Sequence, residues 1–263
     1  LTFIADNLIS GGVSKDAIPS IDNPVYITAD EAHIEPSQQI YGTIITDQAY
    51  AYPQSILYWH EIVNHKTDEG KQFSVTYCPL TETTVGYLDV ELGVSGKLYN
   101  SNLVTYDRKT DALIPQILGI KVTENVGEKL KTFDIVTTTF EQWVALHPDT
   151  LVLVEPTEFG RDYTRSPYPG YDQLLRLWFP VAAQSDRFSS KDIVHGVLTE
   201  KSQYVISKDF MKEQSSITYD GLTFTYNTEL DIVDVTGKVT HFDAYWFAWY
   251  AYYPKTIILD DLV

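Results

Sequence analysis

Apolar and polar residues alternate with a period of two along much of this chain, and that period predicts strands. Phe73, Val75 and Tyr77 face one way and Ser74, Thr76 and Cys78 the other, until Pro79 ends the run. Further strands are predicted from Gln39 to a turn at Asp47, from Ala49 to Tyr52, from Val85 to Leu92 and from Thr150 to Val154, with several more from Ile193 onward. Leu98 to Tyr106 reads as one strand, with Leu98, Asn100, Asn102, Val104 and Tyr106 sharing a face. Two asparagines among apolar neighbours need hydrogen-bond partners when buried.

Two stretches break the strand pattern. Pro53 opens a predicted helix. Stepping about 100° per residue from Ile56, an apolar arc holds Ile56, Leu57, Trp59 and Val63, with His60 and Asn64 inside it. Ile56, His60 and Asn64 are then one inward row, while Tyr58, Glu61 and His65 fall outside it. A second helix is predicted over Phe140 to Leu146, capped by Thr138 or Thr139 and stopped by Pro148, with His147 at its C-terminal cap. Phe159 to Tyr171 reads as a long loop. Trp246, Phe247, Trp249, Tyr250, Tyr252 and Tyr253 read as a strand apolar on both faces, either fully buried or an assembly edge.

The expected fold class is mainly β (β-rich α+β), with antiparallel sheets or half-barrels and two or three short helices. Turn formers up to Asn23 suggest an extended N-terminal arm over residues 1–23, followed by one domain over 24–263. An internal duplication is a candidate within it. Tyr41-Gly42 with Tyr50 matches His195-Gly196 with Tyr204, Val75-Thr76-Tyr77 matches Phe224-Thr225-Tyr226, and Gly96-Lys97 matches Gly237-Lys238. The halves would span about 24–135 and 180–263, the second without a counterpart to Cys78 or His60.

Composition narrows the function classes. A net charge of −17 opposes non-specific binding to nucleic acid or an anionic membrane. No stretch approaches the roughly 18 apolar residues of a membrane-spanning helix. The chain has one cysteine, which excludes an internal disulfide and leaves packing, chemistry or metal ligation.

Candidate chemistry therefore gathers around Cys78. Thiolate and imidazole from Cys78 and His60 would suit copper or zinc. No C-x-x-C, H-x-H or H-E-x-x-H spacing supports a metal, and the last pattern fails at Asn64. Alternatively Cys78 is a nucleophile, His60 its base, and Asn64, Asn100 or Asn102 the orienting group. Pro79 offers no N–H for an oxyanion. The third reading is a buried hydrogen-bond network in a structural protein. Arg108, Arg161, Asp162 and Arg165 form either an ion-pair cluster or an anion site. His33, His65, His195, His241 and the single methionine, Met211, have no informative spacing.

Five collinear segments carry a family resemblance. They are Ala51-Tyr52-Pro53 through Asn64, Tyr77-Cys78-Pro79-Leu80, Gly93 to Arg108, Arg161-Asp162-Tyr163 through Tyr171, and Trp246 to Pro254. Together they resemble a prokaryotic family of unknown function with the motifs W-H-E-I-V-N-D, Y-C-P-L-C-G-T, G-V-S-G-x-L-Y-N-S-N-L-V-M-Y-D-R, R-D-Y-x-R-x-P-Y-x-x-Y and W-F-A-W-x-A-F-Y-P. Thr81 stands at the motif's second cysteine, Glu82-Thr83 at its Gly-Thr, and His65 at the Asp after Asn64. A two-cysteine centre is thereby removed.

The resemblance implies an extracytoplasmic location (periplasmic, cell-surface or secreted). The leading expectation is an exported accessory protein with a small polar site for a metal ion or small ligand. Cys78 and His60 would contact it, and Asn64, Asn100 and Asn102 would orient them. The opposing expectations are an assembly subunit, self-associating through the N-terminal arm or the aromatic C-terminal strand, and a cysteine-dependent hydrolase.

Overall fold

Strand alternation dominates the computed structural model, which describes residues 1–67, 69–237 and 239–262. Lys238, one end of the Gly237-Lys238 match, lies outside the described residues. Among those residues the strands form five open sheets, antiparallel or mixed, with five helices of five to seven residues. The fold is β-rich, with more helices than the two or three expected.

Two stretches run through the same succession of elements. The hairpin of Gln39–Ile45 and Gln48–Pro53 leads into a helix, Gln54–His60. The hairpin of Ile193–Leu198 and Gln203–Ser207 leads into another, Lys208–Gln214. Each hairpin gains an antiparallel strand on its first member, Val136–Thr139 in one case and Thr240–Tyr245 in the other. Each gains a parallel strand on its second member, pairing Leu151 with Tyr50 and Ile257 with Tyr204. A helix joins those two added strands in both, Phe140–Leu146 and Trp246–Tyr252. With Thr2–Asp6 these helices are α1 (Thr2–Asp6), α2 (Gln54–His60), α3 (Phe140–Leu146), α4 (Lys208–Gln214) and α5 (Trp246–Tyr252).

Glycine explains how α3 and α5 dock. A Cβ on Gly42 would lie 2.5 Å from the Trp143 ring, and one on Gly196 would lie 2.0 Å from the Trp249 ring. Each strand carries glycine where a helix tryptophan lies flat on its backbone. The two hairpin helices also end alike. Glu61 after α2 and Ser215 after α4 are left-handed, with φ of 58° and 61°. Each then starts a strand whose partner donates to the turn: Tyr77 N–H to the Glu61 carbonyl at 2.7 Å, and Tyr226 N–H to the Ser215 carbonyl at 2.9 Å. Residues 89–135 add a further sheet, built on Leu92–Tyr99, Asn102–Asp107 and Leu113–Pro115, to the first stretch only.

Three expected elements differ. The helix from Pro53 stops at His60, and Ile62–Lys66 is a strand paired with Gln72–Cys78. β-Branched Ile62 and Val63 fit that pairing, which outweighs the helical period. Asn64 therefore stands on a strand and not in a helical row with Ile56 and His60. The single strand over 98–106 is a hairpin turning at Asn100 and Ser101, with φ of 49° and 62°. Two successive left-handed residues match the twist of a two-residue hairpin, and asparagine tolerates that conformation. Asn100 is thus a turn residue and shares no strand face with Asn102. The aromatic C-terminal segment is α5, where Trp246, Phe247, Ala248 and Trp249 are all buried; a helix apolar on every side lacks the periodicity that tells it from a buried strand.

The N-terminal segment folds back on its own body. Ile9–Ser10 pairs with Leu98 and Lys97, Gly11 N–H donates to Gly96, and Ile21 bridges to Val63.

Substituting Gly196→Ala should destabilise the protein by about 2–3 kcal/mol, because the Trp249 ring has nowhere to move within a packed core. Urea unfolding of Gly196→Ala, Trp249→Leu and the double variant checks this. The two losses should combine less than additively.

Candidate functional site

Cys78 ends the Gln72–Cys78 strand, opposite Thr83, and is 1% exposed. Its Sγ accepts the Leu103 N–H at 3.3 Å, and the Thr81 hydroxyl also bonds it. Burial pushes the thiol up to about 11, and the Glu61 carboxyl adds to the rise. Burial therefore favours the protonated thiol over the thiolate that acts as a nucleophile.

Asn102 organises the floor beside it. Its Nδ2 donates to Thr81 Oγ1 (2.9 Å), Thr83 Oγ1 (3.1 Å) and Gln116 Oε1 (2.7 Å). Its Oδ1 accepts the Ile117 N–H at 3.2 Å. Gln116 carries the network on to the Thr76 and Thr83 carbonyls. Thr81, the residue at the motif's second cysteine, is thus a hydrogen-bonded member of the core.

His60 is fully buried, with both ring nitrogens engaged. Nδ1 lies 2.7 Å from the Pro19 carbonyl; a carbonyl only accepts, so Nδ1 carries the hydrogen. Nε2 lies 2.7 Å from the Tyr163 hydroxyl. Burial lowers the basicity of the ring. Glu61, on its left-handed turn, accepts the Tyr168 hydroxyl at 3.1 Å, and burial raises its carboxyl to about 7. Tyr171 donates to the Leu80 carbonyl at 3.0 Å, beside Cys78.

Three tyrosines of the 161–171 segment therefore clamp His60, Glu61 and the turn after Cys78. Sequence reasoning missed Glu61 and all three tyrosines as members of the site. The sequence shows a Tyr-rich spacing at 163, 168 and 171, but nothing in it couples that segment to His60 and Glu61, about a hundred residues earlier.

The remaining candidates lie apart from Cys78 and each has partners of its own. Asn64 donates to Asp22 and to the Leu92 carbonyl, both at 2.8 Å, and accepts from Ser74 (2.6 Å) and Leu92 N–H (2.9 Å). Asn100 donates to the Ala251 carbonyl at 3.0 Å and accepts the Ala182 N–H at 2.9 Å. The arginine group divides. Arg108 pairs with Asp22 (3.1 Å) and Glu91 (3.7 Å), Arg165 pairs with Asp162 (3.3 Å), and Arg161 lies over the Trp59 ring. Among the described residues no group of three or more His, Cys, Asp or Glu side chains is placed to hold a metal ion. Both His60 ring nitrogens are hydrogen-bonded within the protein, and burial favours the protonated form of the Cys78 thiol.

Two further clusters had no sequence signal. Strand pairing sets His195 opposite Asp243, with Nδ1 2.7 Å from the carboxylate, and brings His241 Nδ1 to 3.2 Å from His195 Nε2. Glu82, half-buried beyond Thr81, gathers Gln39, Gln54, Tyr41 and Tyr77 around its carboxylate.

Over residues 15–236 the chain matches the family described as Protein of unknown function (DUF3179). It belongs to that family. No curated protein and no solved structure matches the chain. The matched span of this DUF3179 protein contains His60, Glu61, Cys78, Asn102 and the tyrosine clamp, and ends before Thr240–Tyr245 and α5.

Glu61 gives the site a pH signature. An acid whose folded value is raised destabilises the fold as it ionises. Its contribution is most favourable below the unfolded value, near 4.5, and is lost as pH rises toward 7. The loss is on the order of 3 kcal/mol. Glu61→Gln retains an acceptor for Tyr168. It should raise stability at pH 8 and flatten the decline between pH 4.5 and 7, as read by urea midpoints across that range.

Proposed function

We propose that this DUF3179 protein is a non-catalytic accessory component, and that its motif residues form a structural lock. One observation carries the reading: the polar groups offered as chemistry are paired within the protein. His60 spans Pro19 and Tyr163, Asn102 spans Thr81, Thr83, Gln116 and Ile117, and Cys78 is a buried thiol receiving hydrogen bonds. A catalytic base or metal ligand needs a lone pair directed at open space, and a nucleophilic thiol needs access and a depressed pKa. Here burial works in the opposite direction.

The lock joins parts far apart in sequence. Tyr163, Tyr168 and Tyr171 bind the end of α2 and the Cys78 turn, and Asn100 ties its hairpin to the carbonyl end of α5. Hydrogen bonds of this kind fix one arrangement among alternatives of similar apolar burial.

The test is thiol alkylation. Iodoacetamide at pH 8 should modify Cys78 in the folded protein at least ~1000-fold more slowly than in 6 M guanidinium, because reaction must await opening of the fold. Rapid alkylation of the native protein, with a rate rising through an apparent pKa below 8, would show an activated thiol and defeat the reading.

A further inference from the structure

The two repeated stretches share one more feature, and it differs between them in charge. In the first, Tyr77 donates to Glu82, five residues on, at 2.8 Å. In the second, Tyr226 donates to Asp231, also five residues on. Both acids sit on left-handed turns, with φ of 51° and 55°. Each faces the N-terminal turn of the preceding helix. The first residue of α4 is Lys208, whose Nζ lies 3.2 Å from Asp231 Oδ2. The fifth is Lys212, whose Nζ lies 3.4 Å from Asp231 Oδ1 and 5.8 Å from the centre of the Tyr226 ring. An ammonium group is thus held between a carboxylate and a tyrosine face.

The corresponding residues of α2 are Gln54 and Tyr58. Glu82 accepts from Gln54 (2.8 Å), Gln39 (2.9 Å) and Tyr41 (3.0 Å) on Oε1, and from Tyr77 on Oε2. All four donors are neutral, and no cationic side chain of the described residues pairs with it. The rings of Tyr41 and Tyr58 stand 4.9 and 5.7 Å from that of Tyr77. A pocket of about 240 Å³ opens along Gln54, Ser55 and Tyr58, against Tyr163, Thr164 and Arg165. Arg165, its one basic side chain, is already paired with Asp162.

We propose that Glu82, with Tyr77, Tyr41 and Tyr58, is a binding site for a primary alkylammonium group. The ligand supplies from outside the cation that Lys208 and Lys212 supply in the second stretch. Its N–H groups replace the Gln54 amide at Oε1, its charge lies against the electron-rich ring faces, and its alkyl body lies in the pocket beside Ser55. Gln54, Tyr58 and Glu82 are all half-buried, and Gln54 joins the two parts of the site: it lines the pocket and donates to Glu82. The net charge of −17 raises the local concentration of such a cation. The site is separate from Cys78 and stands whether or not the thiol is reactive.

The probe is n-butylammonium, with n-butanol as its neutral counterpart at equal ionic strength, followed by saturation-transfer NMR and calorimetry on the whole chain. Saturable binding of the ammonium and not of the alcohol is expected. It should weaken at least ten-fold in Glu82→Gln. Tyr58→Lys should also weaken it at least ten-fold, since it places an internal ammonium where Lys212 stands in the second stretch. The wild-type comparison of ammonium with alcohol keeps the test valid if either variant folds poorly. Equal binding of amine and alcohol, no saturable binding by the wild type, or undiminished binding in a folded Glu82→Gln would overturn the proposal.

Discussion

The left-handed residue that ends α2 is the constraint on which the rest of the site depends. With φ at 58°, Glu61 turns the chain from helix to strand in a single residue. That reversal lets Ile62–Lys66 pair with Gln72–Cys78, and the Tyr77 N–H closes the corner on the Glu61 carbonyl. A residue with a Cβ adopts this conformation at some cost, so the surroundings must over-determine it. They do so through Tyr168 on the Glu61 carboxyl and through His60, fixed one residue earlier between Pro19 and Tyr163. Ser215 makes the same turn after α4, without a buried histidine or acid beside it. The corner occurs in both stretches, and among the described residues the His-Glu pair with its tyrosine clamp occurs in the first alone.

Burial has opposite consequences for the ionisable groups at this corner. It holds the Cys78 thiol protonated and the His60 ring neutral, and brings the Glu61 carboxyl close to half-ionised at neutral pH. The ionisation of Glu61 therefore couples the stability of this corner to pH near neutrality. The same residue types in open solvent would have suggested a catalytic constellation. Their directions of hydrogen bonding, more than their identities, separate a lock from an active site.

Much of the architecture was legible in the sequence. The strand alternation around Phe73–Cys78, the Thr139-capped helix and the β-rich class all follow from local patterns that tertiary contacts reinforce. The errors arose where local and tertiary preferences diverged. Val63 and Asn64 satisfied a helical period, yet strand pairing claimed them. Asn100 alternated correctly for a strand, yet its tolerance of positive φ made it the hairpin turn. The aromatic run at Trp246 has no polar face, so period alone did not distinguish helix from strand. Within the site, the sequence singles out Cys78, His60 and Asn102 as candidates for a metal or ligand site, and all three are buried. Their partners were invisible because Tyr163, Tyr168 and Gln116 come from distant segments. The His195–Asp243 pair required knowing which strands are neighbours. The contrast of Glu82 with Asp231 required knowing that α2 and α4 occupy equivalent places.

The most direct test of the lock is the protonation of His60, followed by nitrogen-15 NMR of the imidazole rings with pH and with one equivalent of Zn²⁺ or Cu⁺. The lock predicts a hydrogen resident on Nδ1 near neutral pH, slow exchange with solvent, and no change on adding metal. A His60 resonance that shifts stoichiometrically with metal, or that shows the hydrogen on Nε2 with Nδ1 free, would contradict it.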